Sequence, residues 1–353
     1  DLRARGNAIS LRDMSRYFAE WRDPVATTYR GHSIYSSAPP VSGGATLAAQ
    51  LNLLENARIG DVPARDAATA HAMIEAWRIA PRNRIADPAL WPVDISAALS
   101  KDTARARWNC FFNPSRAVAA RELTAQGDSA NRRRCPNATA DQGMPADPEV
   151  HPGERSTGTT SFAVADADGN MVAVTQTLGT WGGTFYVTPG LGFHYNDKLR
   201  SYGSSPDAYG ARLPFARHGS TLAPTLVFKG TGADKKPVLA TGAAGNAWMT
   251  SAMYSVVTGV INHGLSPQQA LEQPRFLPGG QGNASGGNGI MVQIESGFSP
   301  AVLKRLEEMG YRFNVISLPG ELRMGYGAAV TVEKGKVRVG GDPRRSGAGG
   351  VRQ

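Results

Sequence analysis

The chain has 353 residues, 41% of them hydrophobic, which is enough for a sizeable core and excludes a wholly disordered protein. No apolar run approaches the roughly 18 residues of a membrane-spanning helix, and no self-similarity recurs at solenoid periods. Lys and Arg (38) outnumber Asp and Glu (29), giving +9, yet they are scattered; the dense cluster Arg132-Arg133-Arg134 has no interleaved aromatic residue on which a base could stack, so nucleic acid is not an expected partner.

In chain order, Ser10 is a suitable N-cap for a short helix over residues 9–18. Residues 29–36 read as one short strand. Pro39-Pro40-Val41-Ser42-Gly43-Gly44 breaks it and leads into a helix from Ala45 to Asn56, and Ala67 to Ile79 reads as another. Residues 108–158 show no sustained period and read as loop-rich. This stretch holds both cysteines, Cys110 and Cys135, without a metal-like spacing. A disulfide between them would favour an oxidising compartment, hence a periplasmic or secreted protein; two unrelated thiols in a cytoplasmic protein is the other reading. The chain begins at Asp1 with no initiator Met, so either a leader has been removed or the sequence is part of a longer product.

Beyond residue 158 the pattern changes. Ser161 to Ala165 is strand-like, Asp166-Ala167-Asp168-Gly169-Asn170 is a hairpin turn signal, and Met171 to Leu178 returns as the partner strand. Strands are expected at Thr225–Lys229, Val238–Thr241, Ala328–Val332 and Lys336–Val339. Thr250–Asn262 reads as an apolar helix, and Ser299-Pro300 opens another that Gly310 ends. The fold class is α+β with antiparallel hairpins, not a parallel doubly wound sheet.

Thr159, in Gly158-Thr159-Thr160-Ser161-Phe162, stands where the loop-rich stretch meets the first strand of that hairpin. Cleavage before it would make Thr159 an N-terminal residue whose hydroxyl is a nucleophile and whose own α-amine is the base. An α-amine titrates near 7.7–8.0 when unperturbed, well placed to take that proton. On pattern alone, two threonines beginning a strand are ordinary.

The run from Thr159 to Leu178 (Thr-Thr-Ser-Phe-Ala-Val-Ala-Asp-Ala-Asp-Gly-Asn-Met-Val-Ala-Val-Thr-Gln-Thr-Leu) resembles the start of the small subunit of gamma-glutamyltransferases, which are autocatalytically cleaved N-terminal-nucleophile hydrolases. Tyr29-Arg30-Gly31 and Pro39 to Gly44 resemble the end of that family's large subunit. Ala223-Pro224-Thr225, Thr241-Gly242-Ala243-Ala244-Gly245, Gln273-Pro274-Arg275-Phe276, Gly297-Phe298-Ser299-Pro300 and Gly341-Asp342-Pro343-Arg344 match small-subunit landmarks. The resemblance implies a four-layer αββα sandwich and cleavage after Gly158. Residues 1–158 would then be the C-terminal part of a large subunit, and 159–353 a small one. It implies Thr159 as nucleophile, Thr177 as the second threonine that orients it, and Gly245 with Asn246 as the oxyanion hole. Ser220 and Thr221 stand at a substrate-contacting serine pair. No cofactor and no metal are implied.

Two departures bear on substrate. Where the family holds a glutamyl α-amino group, this chain places Gly179 for an Asn, Lys198 for a glutamine, and Arg200-Ser201 for two acidic residues. Exchanging carboxylates for cations disfavours an ammonium group and favours an anionic or uncharged acyl group. The family's α-carboxylate-binding arginine lies before the region matched by Asp1, in a segment supplied by the same product or by another polypeptide. The expected function is a Thr-nucleophile amidohydrolase or acyltransferase acting on a small-molecule amide. Alternatives are a true gamma-glutamyltransferase acting on glutathione-like donors and a catalytically silent binding relative.

Overall fold

The computed structural model describes residues 1–81, 94–119, 122–123, 157–201, 211, 213–214, 217, 219–245, 248–278, 290–316, 325–345, 347 and 349–351. Arg132–Arg134 and Cys135 fall outside them; Cys110 is disulfide-bonded. Among the described residues no helix is long and apolar enough to cross a membrane, and no cluster of His, Cys, Asp and Glu could hold a metal ion.

Helix α1 (Leu11–Arg16) is closed by a capping box between Ser10 and Asp13. The segment 29–36, expected as one strand, is instead part of a hairpin of β1 (Val25–Tyr29) and β2 (His32–Ser36). Arg30 and Gly31 make its two-residue turn, both at positive φ (46° and 76°). Helix α2 (Gly43–Leu54) is buried along almost its whole length, because it lies between the sheet and helices α3 (Ala67–Ile79) and α4 (Lys101–Phe111). The α4 helix falls partly in the stretch expected to be loop; Ser100 caps it, and only Ala104, Arg107 and Trp108 are buried.

Strands β3 (Thr157–Ala165) and β4 (Met171–Thr180) form the expected hairpin, with Gly169 at φ 86° in its turn. They are followed by β5 (Thr225–Lys229), β6 (Lys236–Ala244), α5 (Trp248–His263) and α6 (Pro267–Glu272). A smaller sheet comes next: β7 (Phe276–Pro278), β8 (Ile290–Glu295) and β9 (Tyr311–Ile316), with α7 (Pro300–Glu308) crossing between the parallel pair β8 and β9. Ser299 caps α7, and Gly310 beyond it sits at φ 104°. The chain then forms β10 (Tyr326–Glu333) and β11 (Lys336–Gly341).

The main sheet is six-stranded and antiparallel throughout, in the order β1-β2-β5-β6-β10-β11. One face is covered by α2, α5 and α6, which share a core with Leu47, Leu51, Met253, Val256 and Leu271. The β3–β4 hairpin lies against the other face, over β6 and β10. Glycine permits that approach: a Cβ on Gly242 would stand 2.3 Å from Ser161 Oγ and 2.9 Å from Thr175 Oγ1. The register alternates side chains so that Thr159, Ser161 and Ala163 face the sheet while Phe162 and Val164 are exposed.

Candidate active site

The hairpin and the main sheet meet at one end of the sheet. Thr159 is paired with Thr177, and a register irregularity between Thr157 and Thr159 brings the backbone of Gly158 against β4. A Cβ at 158 would stand 1.9 Å from the carbonyl oxygen of Thr180, so only glycine fits ahead of the threonine. Thr159 is 8% exposed. Its Oγ1 is 2.8 Å from Thr177 Oγ1, and Thr177 Oγ1 in turn accepts the Gly179 N–H at 3.0 Å. The Gly179 amide thus holds the Thr177 hydroxyl in place beside that of Thr159, and either hydroxyl can donate to the other. The Tyr326 hydroxyl donates to the Thr159 carbonyl at 2.7 Å.

Other hydroxyls nearby are otherwise engaged. Ser161 donates to the Val174 carbonyl at 3.0 Å under the hairpin, and Thr160 points to solvent. Thr159 alone among these combines shelter with a hydroxyl partner suited to orienting it.

Strand β6 delivers the next element. Ala244 pairs with Tyr326, so Gly245, one residue further on, stands at the sheet end where Tyr326 reaches Thr159. Gly245 sits at φ 121°, and its carbonyl accepts the N–H of Trp248, where α5 begins. Gly245 therefore stands just ahead of the N-terminal end of α5, the end of a helix that favours a negative charge. Asn246 lies outside the described residues.

Ser220 and Thr221 lead into β5, whose first residue Thr225 pairs with Thr241 and with Ser36; this places them at the same end of the sheet. The Ser220 carbonyl accepts from the Ser42 N–H at 2.7 Å and its hydroxyl at 3.0 Å, pinning the segment to the start of α2. A Cβ on Gly43 would stand 2.4 Å from the Thr221 carbonyl oxygen.

Gly179 sits at φ 102° against the segment that carries Lys198. A Cβ at 179 would stand 1.8 Å from Asp197 Oδ1 and 3.5 Å from Lys198 Cδ. Lys198 is half-buried there, and the side chains of Arg200 and Ser201 lie outside the described residues. The sequence reading missed Asp197. Its carboxylate accepts the Thr180 N–H at 3.0 Å and the Thr180 hydroxyl at 2.5 Å, filling the space that a side chain at 179 would need. One carboxylate thus stays beside the strand end that carries Thr177, next to Lys198. The available signal was the Asn196-Asp197 pair after Tyr195; its partner, Thr180, is distant in sequence.

A buried charge network supports this end of the sheet. Arg275 bonds Asp342 at 2.6 Å, Asp342 accepts the Gly327 N–H at 2.9 Å, and Arg344 bridges Asp342 and Glu295. Burial alone would raise the Asp342 carboxyl, but the Arg275 and Arg344 guanidinium groups hold it below its usual range.

A family model for gamma-glutamyltranspeptidase matches residues 1–351. The chain belongs to the gamma-glutamyltranspeptidase family. It is 30% identical over 288 residues to the glutathione hydrolase proenzyme of Pseudomonas sp. (strain A14), covering 78% of this chain and 45% of that protein. It is 29% identical over 312 residues to the acylase ACY 1 proenzyme of Pseudomonas sp. (strain V22), covering 88% of this chain and 49% of that one. The chain thus spans about half the length of these relatives. The solved cephalosporin acylase of Bacillus halodurans superposes with a TM-score of 0.74 at 22% identity, over 98% of this chain and 56% of that one. The α+β fold is therefore shared with that acylase.

The Thr159–Thr177 contact makes a direct prediction. Thr177→Val keeps the shape but removes the hydroxyl and strands the Gly179 amide, so kcat should fall by about 10- to 100-fold. Thermal denaturation should shift by only a few degrees, since one hydrogen bond is worth about 1 kcal/mol. An unchanged kcat would show that Thr177 does not orient a hydroxyl needed for turnover.

Proposed function

We propose that this protein is a threonine-nucleophile amidohydrolase or acyltransferase that matures by cleavage between Gly158 and Thr159. The observation that carries this reading is the sheltered Thr159 hydroxyl, 2.8 Å from that of Thr177, at a sheet end that also holds Gly245. In maturation, Thr159 Oγ attacks the Gly158 carbonyl carbon and the peptide C–N bond breaks. The Thr159 nitrogen takes the proton and becomes an amine, and water hydrolyses the resulting ester. This divides the chain into 1–158 and 159–353. The family resemblance extends the proposal to a four-layer αββα sandwich in the whole protein, whose remaining large-subunit part belongs to the same precursor or to a separate chain.

In turnover, the α-amine takes the Thr159 hydroxyl proton as Oγ attacks the amide carbonyl. Backbone N–H groups of Gly245 and Asn246 bind the oxyanion. The leaving amine departs with the proton, and water or a second amine takes the acyl group from the threonine ester. Cys110, being disulfide-bonded, supports a periplasmic or secreted location.

The acyl group is set by the wall formed by Gly179 and Lys198. Lys198, half-buried against Gly179, supports an anionic or neutral acyl group. A second reading, a true gamma-glutamyltransferase, is favoured by the Asp197 carboxylate at the same wall, which could face an ammonium group.

Denaturing electrophoresis with N-terminal sequencing of the full protein should reveal a fragment beginning at Thr159; an uncut, inert chain would defeat the proposal. A panel of gamma-glutamyl, glutaryl, succinyl and neutral acyl anilides distinguishes the two substrate readings. Lys198→Met should lower kcat/KM for the glutaryl member by about tenfold relative to the gamma-glutamyl member. Preference of the parent for the gamma-glutamyl anilide would establish the second reading.

A further inference from the structure

We propose that Asp197 is a positioning residue: it clasps the end of β4 and thereby sets both the hydroxyl of Thr177 and the backbone of Gly158 ahead of Thr159. The inference rests on the function proposed above and assigns to it two residues, Asp197 and Thr180, that the sequence motifs leave out.

The clasp has three bonds. Asp197 Oδ1 accepts the Thr180 N–H at 3.0 Å, Oδ2 accepts the Thr180 hydroxyl at 2.5 Å, and the Asp197 N–H donates to the Leu178 carbonyl at 2.9 Å. Side chain and backbone of one residue thus grip Leu178 and Thr180 on either side of Gly179. A carboxylate makes stronger bonds to an amide and a hydroxyl than a neutral acceptor does. Asp197 is itself held in a tight turn, in which Asn196 Oδ1 accepts the Lys198 N–H at 3.0 Å. Gly179 makes the grip possible: it sits at φ 102°, and a Cβ there would stand 1.8 Å from Asp197 Oδ1.

The first consequence reaches Thr177. The Leu178 carbonyl and the Gly179 N–H are opposite ends of one planar peptide unit. Asp197 holds the carbonyl end, so the N–H end is aimed the other way, where it donates to Thr177 Oγ1 at 3.0 Å. Thr177 Oγ1 lies 2.8 Å from Thr159 Oγ1. The order of control is therefore Asp197, the 178–179 peptide, Thr177 and then Thr159, with a rigid unit or a short hydrogen bond at each step.

The second consequence reaches the bond to be cut. Thr180, whose N–H and hydroxyl are both on Asp197, pairs across the hairpin with Thr157. Its carbonyl accepts the Gly183 N–H at 3.0 Å and would stand 1.9 Å from a Cβ on Gly158. The backbone of Gly158, whose carbonyl carbon Thr159 attacks in maturation, therefore rests on a residue that the clasp immobilises. Asp197 acts on maturation through Thr180 and on turnover through Thr177, at two separate points. Both effects come from hydrogen-bond geometry, so an amide of the same shape should preserve them.

The test uses the full protein, with kcat expressed per cleaved chain, counted as the fragment beginning at Thr159. Asp197→Ala should lower kcat by about 10- to 100-fold, change KM by less than about threefold, and slow precursor cleavage about tenfold. Asp197→Asn, which keeps an oxygen for the Thr180 N–H and an N–H for the Thr180 oxygen, should stay within about threefold of the parent in both rates. In a Thr177→Val background, Asp197→Ala should lower kcat by less than about threefold further, because its route to turnover is already broken. Where Asp197→Ala yields no folded protein, Gly179→Ala, which displaces the carboxylate, and Thr180→Val, which removes the hydroxyl, carry the test, each expected to lower kcat about tenfold. Parent-like kcat and cleavage in Asp197→Ala, or in both of these variants, would overturn the proposal. So would full multiplicative losses in the Thr177→Val background, which mark general packing, or an Asn variant as slow as the Ala one. A KM for the gamma-glutamyl anilide that rises in both Asp197 variants at unchanged kcat would make Asp197 a substrate contact instead and equally overturn it. A parent protein that is itself uncut and inert defeats the function proposed above and this inference with it. An active parent with unaffected variants removes the inference only.

Discussion

Thr159→Ala leaves the chain as a single uncut polypeptide and lowers turnover by about 10⁴-fold or more. The size of the effect follows from one atom serving twice. In the proposed function, Oγ1 of Thr159 both breaks the bond after Gly158 and carries the acyl group afterwards, so no partial function survives its loss. Neighbouring hydroxyls cannot substitute: Ser161 is spent on the Val174 carbonyl, and Thr160 faces away from the sheet. The variant should still fold. Thr159 gives up one hydrogen bond, to Thr177, at a cost of about 1 kcal/mol, while the Tyr326 bond to its backbone is kept. Electrophoresis, turnover and thermal denaturation measured together check the claim. Thr159→Ser, which retains the hydroxyl, should cleave and turn over slowly; an Ala variant that is cut or active would remove Thr159 from the mechanism.

The pairing of Thr159 with Thr177 was legible because hairpin register is local. Asp168-Gly169 marks the turn, and counting outward along two strands brings Thr159 opposite Thr177. Helix α3 was legible at both ends, where Asp66 caps it and Pro81 follows the last turn. The β1–β2 hairpin was not, because its turn places a non-glycine residue, Arg30, at positive φ. Helix α4 was hidden by its polarity, only three of its side chains being buried. Asp197 and Tyr326 escaped for a different reason. Tyr326 meets Thr159 across 167 positions, and Asp197 meets Thr180 across 17. Such contacts are set by the approach of one sheet to another and by which glycines permit it. Gly242 and Gly179 are visible in the sequence, but what fills the space above each of them is not.

Arg275→Ala should destabilise the protein by about 3–5 kcal/mol, the range for breaking one side of a buried ion pair. Neither side chain of the Arg275–Asp342 pair is more than 1% exposed. Arg275 also donates to the carbonyls of Leu271, at 3.0 Å, and Gly325, so its loss strands two carbonyls as well as a carboxylate. Arg344 would be left as the single guanidinium facing both Asp342 and Glu295. For a chain of this size the melting temperature should fall by about 4–7 °C. The deficit carries a pH signature. In the parent, the guanidinium groups hold Asp342 below 3.8, so this carboxylate contributes stability at neutral pH that is lost only as pH falls through its depressed value. Without Arg275 the folded-state value rises, the variant takes up its proton earlier on acidification, and the difference between the two proteins narrows as pH drops. A packing defect alone would give a pH-independent deficit, so denaturation at neutral and acid pH separates the two causes. Activity should fall further than stability, because Gly325 and Gly327, both tied to this network, flank Tyr326 at the start of β10.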